Sequence, residues 1–311
     1  MKKTIQFLAL CMVLCLTFCA CAPAGGGNNE EEPKETVEIM QKEDPAADDT
    51  INLLMIGNSF CYYYTDELYA MAKAVGIKLR VCNVYYSGCT LNQHWKWWKS
   101  GEAKYEFITT DERGRKEQKD VNLEYCLQQQ NWDYISLQSA SGTLKTDSAA
   151  KVLDATKTER TDLWNYIQQQ FPMSKHLWHQ TWAYQIGYVR DGYKMESKAQ
   201  QDEYAQKQRE YALAICEEFN LGRVKSGEAW KIVRDGGYDN LCARKAINGG
   251  EGDYYHDGDI GGGQYLNACV WFETITGQNC VGNTFRPKAY NLSEDMINLL
   301  QQAAHEAVTN K

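Results

Sequence analysis

What most constrains this chain is a recurring pair: a short apolar run, then ten or more residues with helical spacing. Ile51 to Ile56 is such a run, closed by Gly57, and Asp66 to Val75 then puts Leu68, Met71, Ala72 and Val75 on one helical face. The pairing repeats as a strand near Leu79 to Val84 with a helix near Val121 to Gln130. It repeats again as a strand at Tyr134 to Leu137 with a long helix around Ala149 to Gln170. A strand near His176 to Gln180 precedes a helix from about Gln201 to Asn220, whose Tyr204, Tyr211, Ile215 and Phe219 share a face, and Gly222 to Lys225 reads as a fifth strand. Parallel neighbours need long crossovers, so strands alternating with helices imply a mostly parallel sheet covered on both faces. The expectation is one α/β domain over residues 51–311. A Gly- and Asp-rich loop from Gly236 to Gly263 leads to closing helices near Gln264 to Thr276 and Glu294 to Ala307, the second N-capped by Ser293.

The segment ahead of this domain has a different character. Residues 1–21 read as an export signal: Lys2 and Lys3 start it, Phe7 to Phe18 is its apolar run, and a cysteine cluster ends it. Leu16-Thr17-Phe18-Cys19-Ala20-Cys21 resembles a bacterial lipobox, with Cys21 the better lipidation site because small Ala20 precedes it, and Cys19 the alternative. Residues 22–50 hold three glycines in a row and then acidic and proline-rich sequence that cannot form a core, so they read as an acidic flexible linker. That linker carries nine acidic and two basic residues, net −7, and the signal carries +2. Of the chain's −8, only about −3 therefore falls on the folded domain. With no basic stripe, nucleic-acid binding has no electrostatic footing. The expected place is the bacterial cell envelope, exported, with the membrane engaged only through the N-terminal lipid anchor.

Eight cysteines belong to the domain: Cys61, Cys82, Cys89, Cys126, Cys216, Cys242, Cys269 and Cys280. An even number outside the cytoplasm permits disulfides, yet several fall inside expected strands and helices, as buried thiols do. No Cys-x-x-Cys pair occurs, which removes the usual basis for a redox or zinc-ribbon site.

In open α/β sheets ligands bind beyond the carboxyl ends of the strands, where loops distant in sequence converge. Ser59 follows the first strand in Gly57-Asn58-Ser59-Phe60, Gly88 follows the second in Tyr86-Ser87-Gly88-Cys89, and Gln138 ends the third in Leu137-Gln138-Ser139. These supply a hydroxyl nucleophile, a glycine amide able to approach an oxyanion, and a side-chain amide donor. Serine needs a base, and Asp253-Tyr254-Tyr255-His256 offers an imidazole with a carboxylate three residues away to orient it. There is no Gly-x-Ser-x-Gly elbow, because Cys61 stands where the second glycine would be, which argues against an ordinary α/β-hydrolase fold.

In their order and spacing, Gly57-Asn58-Ser59-Phe60, Gly88, Gln138 and Asp253-x-x-His256 resemble the blocks of the SGNH (GDSL-like) hydrolase superfamily, over nearly the whole domain. The tail Gly263-x-Tyr265-Leu266-x-Ala268 with Trp271-Phe272 and Gly277 looks like a bacterial branch whose signature begins Gly-Asn-Ser-Phe. The resemblance implies a flavodoxin-like three-layer α/β/α sandwich, an esterase, lipase or carbohydrate deacetylase activity, and no metal or organic cofactor. It implies Ser59 as nucleophile and first oxyanion donor, Gly88 as second donor, Gln138 as third, Asp253 as orienting acid and His256 as base. The sequence departs from the family at Asn58, where an aspartate is usual, and at Gln138, where an asparagine is usual.

The remaining polar and aromatic groups have plainer readings. His176 and His179, three apart in a strand, fall on opposite faces and suit core or rim packing better than joint metal ligation. His305 lies in the last helical turn, and His94 sits beside Trp95, Trp97 and Trp98 in an expected loop. Asp257, Asp259 and Glu251 match no EF-hand spacing. Tyr62 to Tyr64, Trp95 to Trp98, and Trp182 with Tyr184 are expected near the site edge, where aromatic faces stack on sugars, and Asn58 should touch substrate. The expected ligand is a small-molecule or glycan ester, hydrolysed through an acyl-enzyme. A glycan-binding surface protein on the same fold is the alternative.

Overall fold

The computed structural model describes residues 49–238, 241–242, 256, 262–287 and 291–310. In chain order the elements are β1 (Thr50–Gly57), α1 (Thr65–Ala74), β2 (Lys78–Tyr85), α2 (Leu91–Ser100), β3 (Tyr105–Asp111), β4 (Gly114–Val121) and α3 (Leu123–Leu127). There follow β5 (Tyr134–Leu137), α4 (Ala149–Ala155), α5 (Lys157–Gln170), β6 (Lys175–His179), and the small hairpin β7 (Val189–Arg190) and β8 (Tyr193–Lys194). The chain closes with α6 (Lys198–Phe219), β9 (Gly222–Val224), α7 (Ser226–Asp235), α8 (Gly263–Thr276) and α9 (Glu294–Thr309).

Seven strands form one sheet in the order β4-β3-β2-β1-β5-β6-β9. The block from β2 to β9 is parallel throughout, and β3 and β4 extend it as an antiparallel hairpin beyond β2. Helices α1, α7, α8 and α9 pack together on one face and α2 to α6 on the other, with α6 also reaching α7. This is the expected three-layer α/β/α architecture with a mostly parallel sheet. The core sits where the apolar runs converge: Leu53 to Ile56 of β1 are buried, as two-sided coverage of a central parallel strand requires. Helix α8 is buried on nearly every side, which suits its largely apolar sequence.

Several elements differ from the sequence expectation. Trp95 to Trp98, expected in a loop, lie in helix α2, which the reciprocal capping box of Thr90 and Gln93 starts, and a hairpin with no sequence expectation follows it. Strand β4, Gly-Arg-Lys-Glu-Gln-Lys-Asp-Val, is exposed except at Val121, so it lacks the apolar alternation that would announce it, and its charges guard the sheet edge. The long helix expected from Ala149 to Gln170 is two helices meeting at Thr156, whose hydroxyl donates to the Val152 carbonyl at 2.7 Å. Ser293 caps α9 as expected, accepting from the Met296 N–H. All eight domain cysteines are free thiols, all but Cys216 buried. Burial pushes the Cys61 and Cys82 thiols up to about 12, so neither is a ready nucleophile. Among the described residues no helix is long and apolar enough to cross a membrane.

Candidate active site

The carboxyl end of β1 turns sharply. After Gly57, Asn58 takes an extended backbone and caps a short 3₁₀ turn, Ser59–Cys61, its side-chain oxygen accepting from the Phe60 N–H at 3.0 Å. Ser59 is thereby lifted to the first position of the turn, half-buried, while Phe60 and Cys61 drop into the core. The turn after β2 brings Gly88 close. Its φ of +67° lies in the left-handed region, where a side chain is strained, so glycine is required by the backbone itself. The Cys89 carbonyl beyond it accepts from the Asn58 Nδ2 at 3.0 Å and ties the two loops together.

Ser59, Gly88, Asn58, Tyr184 and His256 all line one cavity of about 660 Å³, with Tyr63, Thr143, Lys145 and Tyr188 among the other walls. The His256 ring is held between two aromatics of the Ser59 turn, with centroids 5.2 Å from Phe60 and 4.6 Å from Tyr63. Residues almost two hundred positions apart in sequence thus share one wall. The cavity is also lined by a stacked pair, Tyr184 and Tyr188, whose ring centroids lie 4.1 Å apart with their planes nearly parallel, at 5°. The Lys145 ammonium lies 5.4 and 5.1 Å from the centroids of those rings and donates to the Tyr188 hydroxyl at 2.9 Å.

Two expected members, Gln138 and Trp182, sit elsewhere. Gln138 is buried, 1% exposed, and does not line the cavity: its Nε2 donates to Asn58 Oδ1 at 2.7 Å, so its amide faces a neighbouring loop rather than a bound substrate. Trp182, 2% exposed, is also core rather than substrate wall. It stacks on Trp230 at 4.6 Å and leans on Phe60 at 4.7 Å, because the chain after β6 turns inward over that face. Asp253 lies outside the described residues, as do Asp257, Asp259, Glu251 and the lipidation candidates Cys21 and Cys19.

The other histidines and the tryptophan cluster resolve into packing. His94, expected in a loop, is buried in α2, stacked 5.5 Å from Tyr105 with its Nδ1 2.9 Å from that hydroxyl, and burial pushes its pKa down to about 3. Trp95 donates to Asp162 at 2.8 Å and Trp98 packs on Tyr166, so this cluster joins α2 to α5 instead of rimming the cavity. His176 faces Trp164 of α5 and His179 faces Trp271 of α8, on opposite sides of the sheet. His305 lies 2.7 Å from Glu273 in the α8–α9 interface. Tyr63, from the group expected near the site edge, lines the cavity, whereas Thr143, Lys145 and Tyr188 had no local signal and are gathered only by the packing of the loops after β5 and β6.

A family model described as a domain of unknown function, DUF4886, matches residues 52–307. A crystal structure of a DUF4886 family protein from Bacteroides uniformis ATCC 8492 is 26% identical, with a TM-score of 0.70 over 84% of this chain and 95% of that one. A candidate GDSL-like lipase from Parabacteroides merdae ATCC 43184 is 14% identical, with a TM-score of 0.44 over 77% of this chain and 99% of that one. A phospholipase A1 from Streptomyces albidoflavus NA297 is 11% identical, with a TM-score of 0.41 over 73% and 98%. Comparison with curated proteins gave no match.

Proposed function

The chain belongs to the DUF4886 family, and we propose that it is a serine esterase or deacetylase acting on an ester of a carbohydrate or similar small acylated molecule. The observation that carries this reading is the shared cavity of Ser59, Gly88 and His256. Three loops deliver to it a hydroxyl, a backbone amide at a left-handed glycine, and an imidazole.

In the proposed reaction His256 takes the Ser59 hydroxyl proton as the oxygen attacks the ester carbonyl carbon. The carbonyl oxygen, now negative, is held by the backbone N–H groups of Ser59 and Gly88. Collapse of the tetrahedral species breaks the ester C–O bond, and the alcohol leaves with the proton from His256, which leaves the acyl group on Ser59. Water, deprotonated by His256, repeats the attack and releases the acid and free Ser59. Asp253 is proposed to orient the imidazole.

The polar lining that Lys145, Thr143 and the Tyr184–Tyr188 pair give the cavity supports a polar alcohol such as a sugar over an open alkyl chain. The same lining favours the second reading, a glycan-capturing protein without turnover. Export and anchoring through Cys21 complete the proposal and place the substrate outside the cytoplasm.

A fluorophosphonate probe decides between the two readings. Mass spectrometry should find the adduct on Ser59, with hydrolysis of a short acyl ester lost in parallel. A protein that binds glycans but takes no probe and turns over no ester is the capturing protein instead.

A further inference from the structure

Five groups at the carboxyl edge of the sheet form one line. Strands β2, β1, β5, β6 and β9 lie side by side and parallel, so the residues just beyond their ends follow one another along that edge. Ser226, after β9, lies 3.0 Å from His179 Nε2 at the end of β6. His179 Nδ1 lies 2.9 Å from Gln138 Oε1 after β5, Gln138 Nε2 donates to Asn58 Oδ1 after β1 at 2.7 Å, and Asn58 Nδ2 donates to the Cys89 carbonyl after β2 at 3.0 Å. Asn58, Gln138, His179 and Ser226 are all buried.

The direction of every bond in this line follows from its backbone end. The Phe60 N–H can only donate and the Cys89 carbonyl can only accept, so the Asn58 amide has one orientation. Its oxygen therefore faces Gln138, whose nitrogen must point to it and whose oxygen must point to the imidazole. That oxygen accepts, so the proton of neutral His179 is on Nδ1, and Nε2 accepts from the Ser226 hydroxyl. Burial pushes the His179 pKa down to about 3, which keeps the ring neutral. Donors that all run in one sense polarise one another and stiffen the chain they form.

We propose that this line positions the Ser59 turn, and that Gln138 and His179 are positioning residues which act through Asn58 and not on the substrate. The proposal rests on the serine-hydrolase reading above. Asn58 is bonded to Ser59 in the chain and caps its turn, so any displacement of Gln138 reaches the nucleophile across a single residue. Gly57 makes the arrangement possible: a Cβ there would stand 2.7 Å from the Gln138 Cγ, so only glycine lets Gln138 lie across the end of β1. A direct role for the Gln138 amide on an oxyanion is opposed by its burial outside the cavity lining.

The test is a double-mutant cycle in the full chain, Asn58→Ala with Gln138→Leu, read in ester turnover, in fluorophosphonate labelling of Ser59 and in thermal unfolding. A misplacement of about 1 Å costs roughly a hundredfold. Each single variant should therefore lose about that much in kcat and in labelling rate, with KM within about threefold. The double variant should be no worse than the weaker single one, because both break the same line. Losses that multiply, or an unchanged kcat in Gln138→Leu, overturn the proposal. Should Gln138→Leu fail to fold, the similarly long Gln138→Met removes the donor facing Asn58 while keeping the side-chain length. Its kcat should fall at least about tenfold at neutral pH with KM held, and an unchanged kcat overturns the proposal equally. If the wild type neither hydrolyses esters nor takes the probe, the hydrolase reading has failed. The unfolding cycle then judges the line by itself: non-additive melting losses support it as the anchor of the turn, and additive ones overturn it.

Discussion

The two ends of the parallel sheet each open on a cavity, and they use polar residues in opposite ways. At the amino end a cavity of about 480 Å³ is lined by Lys73, Lys78, Arg80, Asp111 and Glu112 among others. Its buried charge is compensated on the spot. Arg80 pairs with Asp111 at 3.4 Å and donates to Asn52 Oδ1 at 3.1 Å, while Asp133 accepts from the Asn52 N–H at 2.7 Å. At the carboxyl end the buried groups are neutral and linked in series from Ser226 to Cys89, and the cavity above them holds Ser59 and His256. Charges paired locally hold strands together. Neutral amides and an imidazole in sequence transmit position from one loop to the next, which is what a site assembled from several loops needs.

Substitutions at the two ends should therefore separate activity from stability. The largest effect belongs to Ser59→Ala, which should lower ester turnover by at least about a thousandfold with the melting temperature unchanged. Steady-state assay beside calorimetry checks it, and retained turnover ends the assignment of Ser59. Gly88→Ala comes next. It forces a side chain into a left-handed backbone at about 1–2 kcal/mol and shifts the amide beside the site, so kcat should drop about tenfold or more with a small loss of stability.

At the amino end the pattern should reverse. Asp111→Asn should cost about 1–3 kcal/mol of unfolding free energy at neutral pH, measured by urea titration, while turnover stays within about twofold of wild type. The side-chain hydrogen bond from Arg113 holds the Asp111 carboxyl at about 2, below its ordinary 3.8. A depressed carboxylate contributes stability that is present above its unfolded pKa and is lost as pH falls through the folded one. The wild-type advantage over Asp111→Asn should therefore hold above about pH 4 and close as pH falls towards 2. The smallest effect is Arg113→Gln, whose side chain is more than half exposed: a barely measurable loss of stability, because solvent screens an exposed pair, and no change in kcat. A loss of turnover in either amino-end variant would mean that the two ends are coupled.

Much of the molecule was legible beforehand because its signals are local. The continuous apolar run of β1 could only be a strand buried on both faces, and the spacing of α1 and α6 could only be helical. Glycine at position 88 and the Gly57-Asn58-Ser59 turn announced loops at strand ends, and Ser293 announced the start of α9. The hairpin of β3 and β4 was not legible, because an edge strand made of charged residues carries no alternation to read.

By itself, then, the sequence determined the layers, the parallel block and the place of Ser59 at the end of its first strand. Only the tertiary structure decided what the polar residues at the other strand ends face. Gln138 and Trp182 both follow strands at the expected edge, yet one lies along that edge on Asn58 and the other turns into the core on Trp230. The reason is physical. A side chain at a strand terminus has the cavity, the neighbouring loop and the core all within reach. Which one it takes depends on the order β2-β1-β5-β6-β9 and on the helices packed against it, and neither is written within a few residues of the side chain itself.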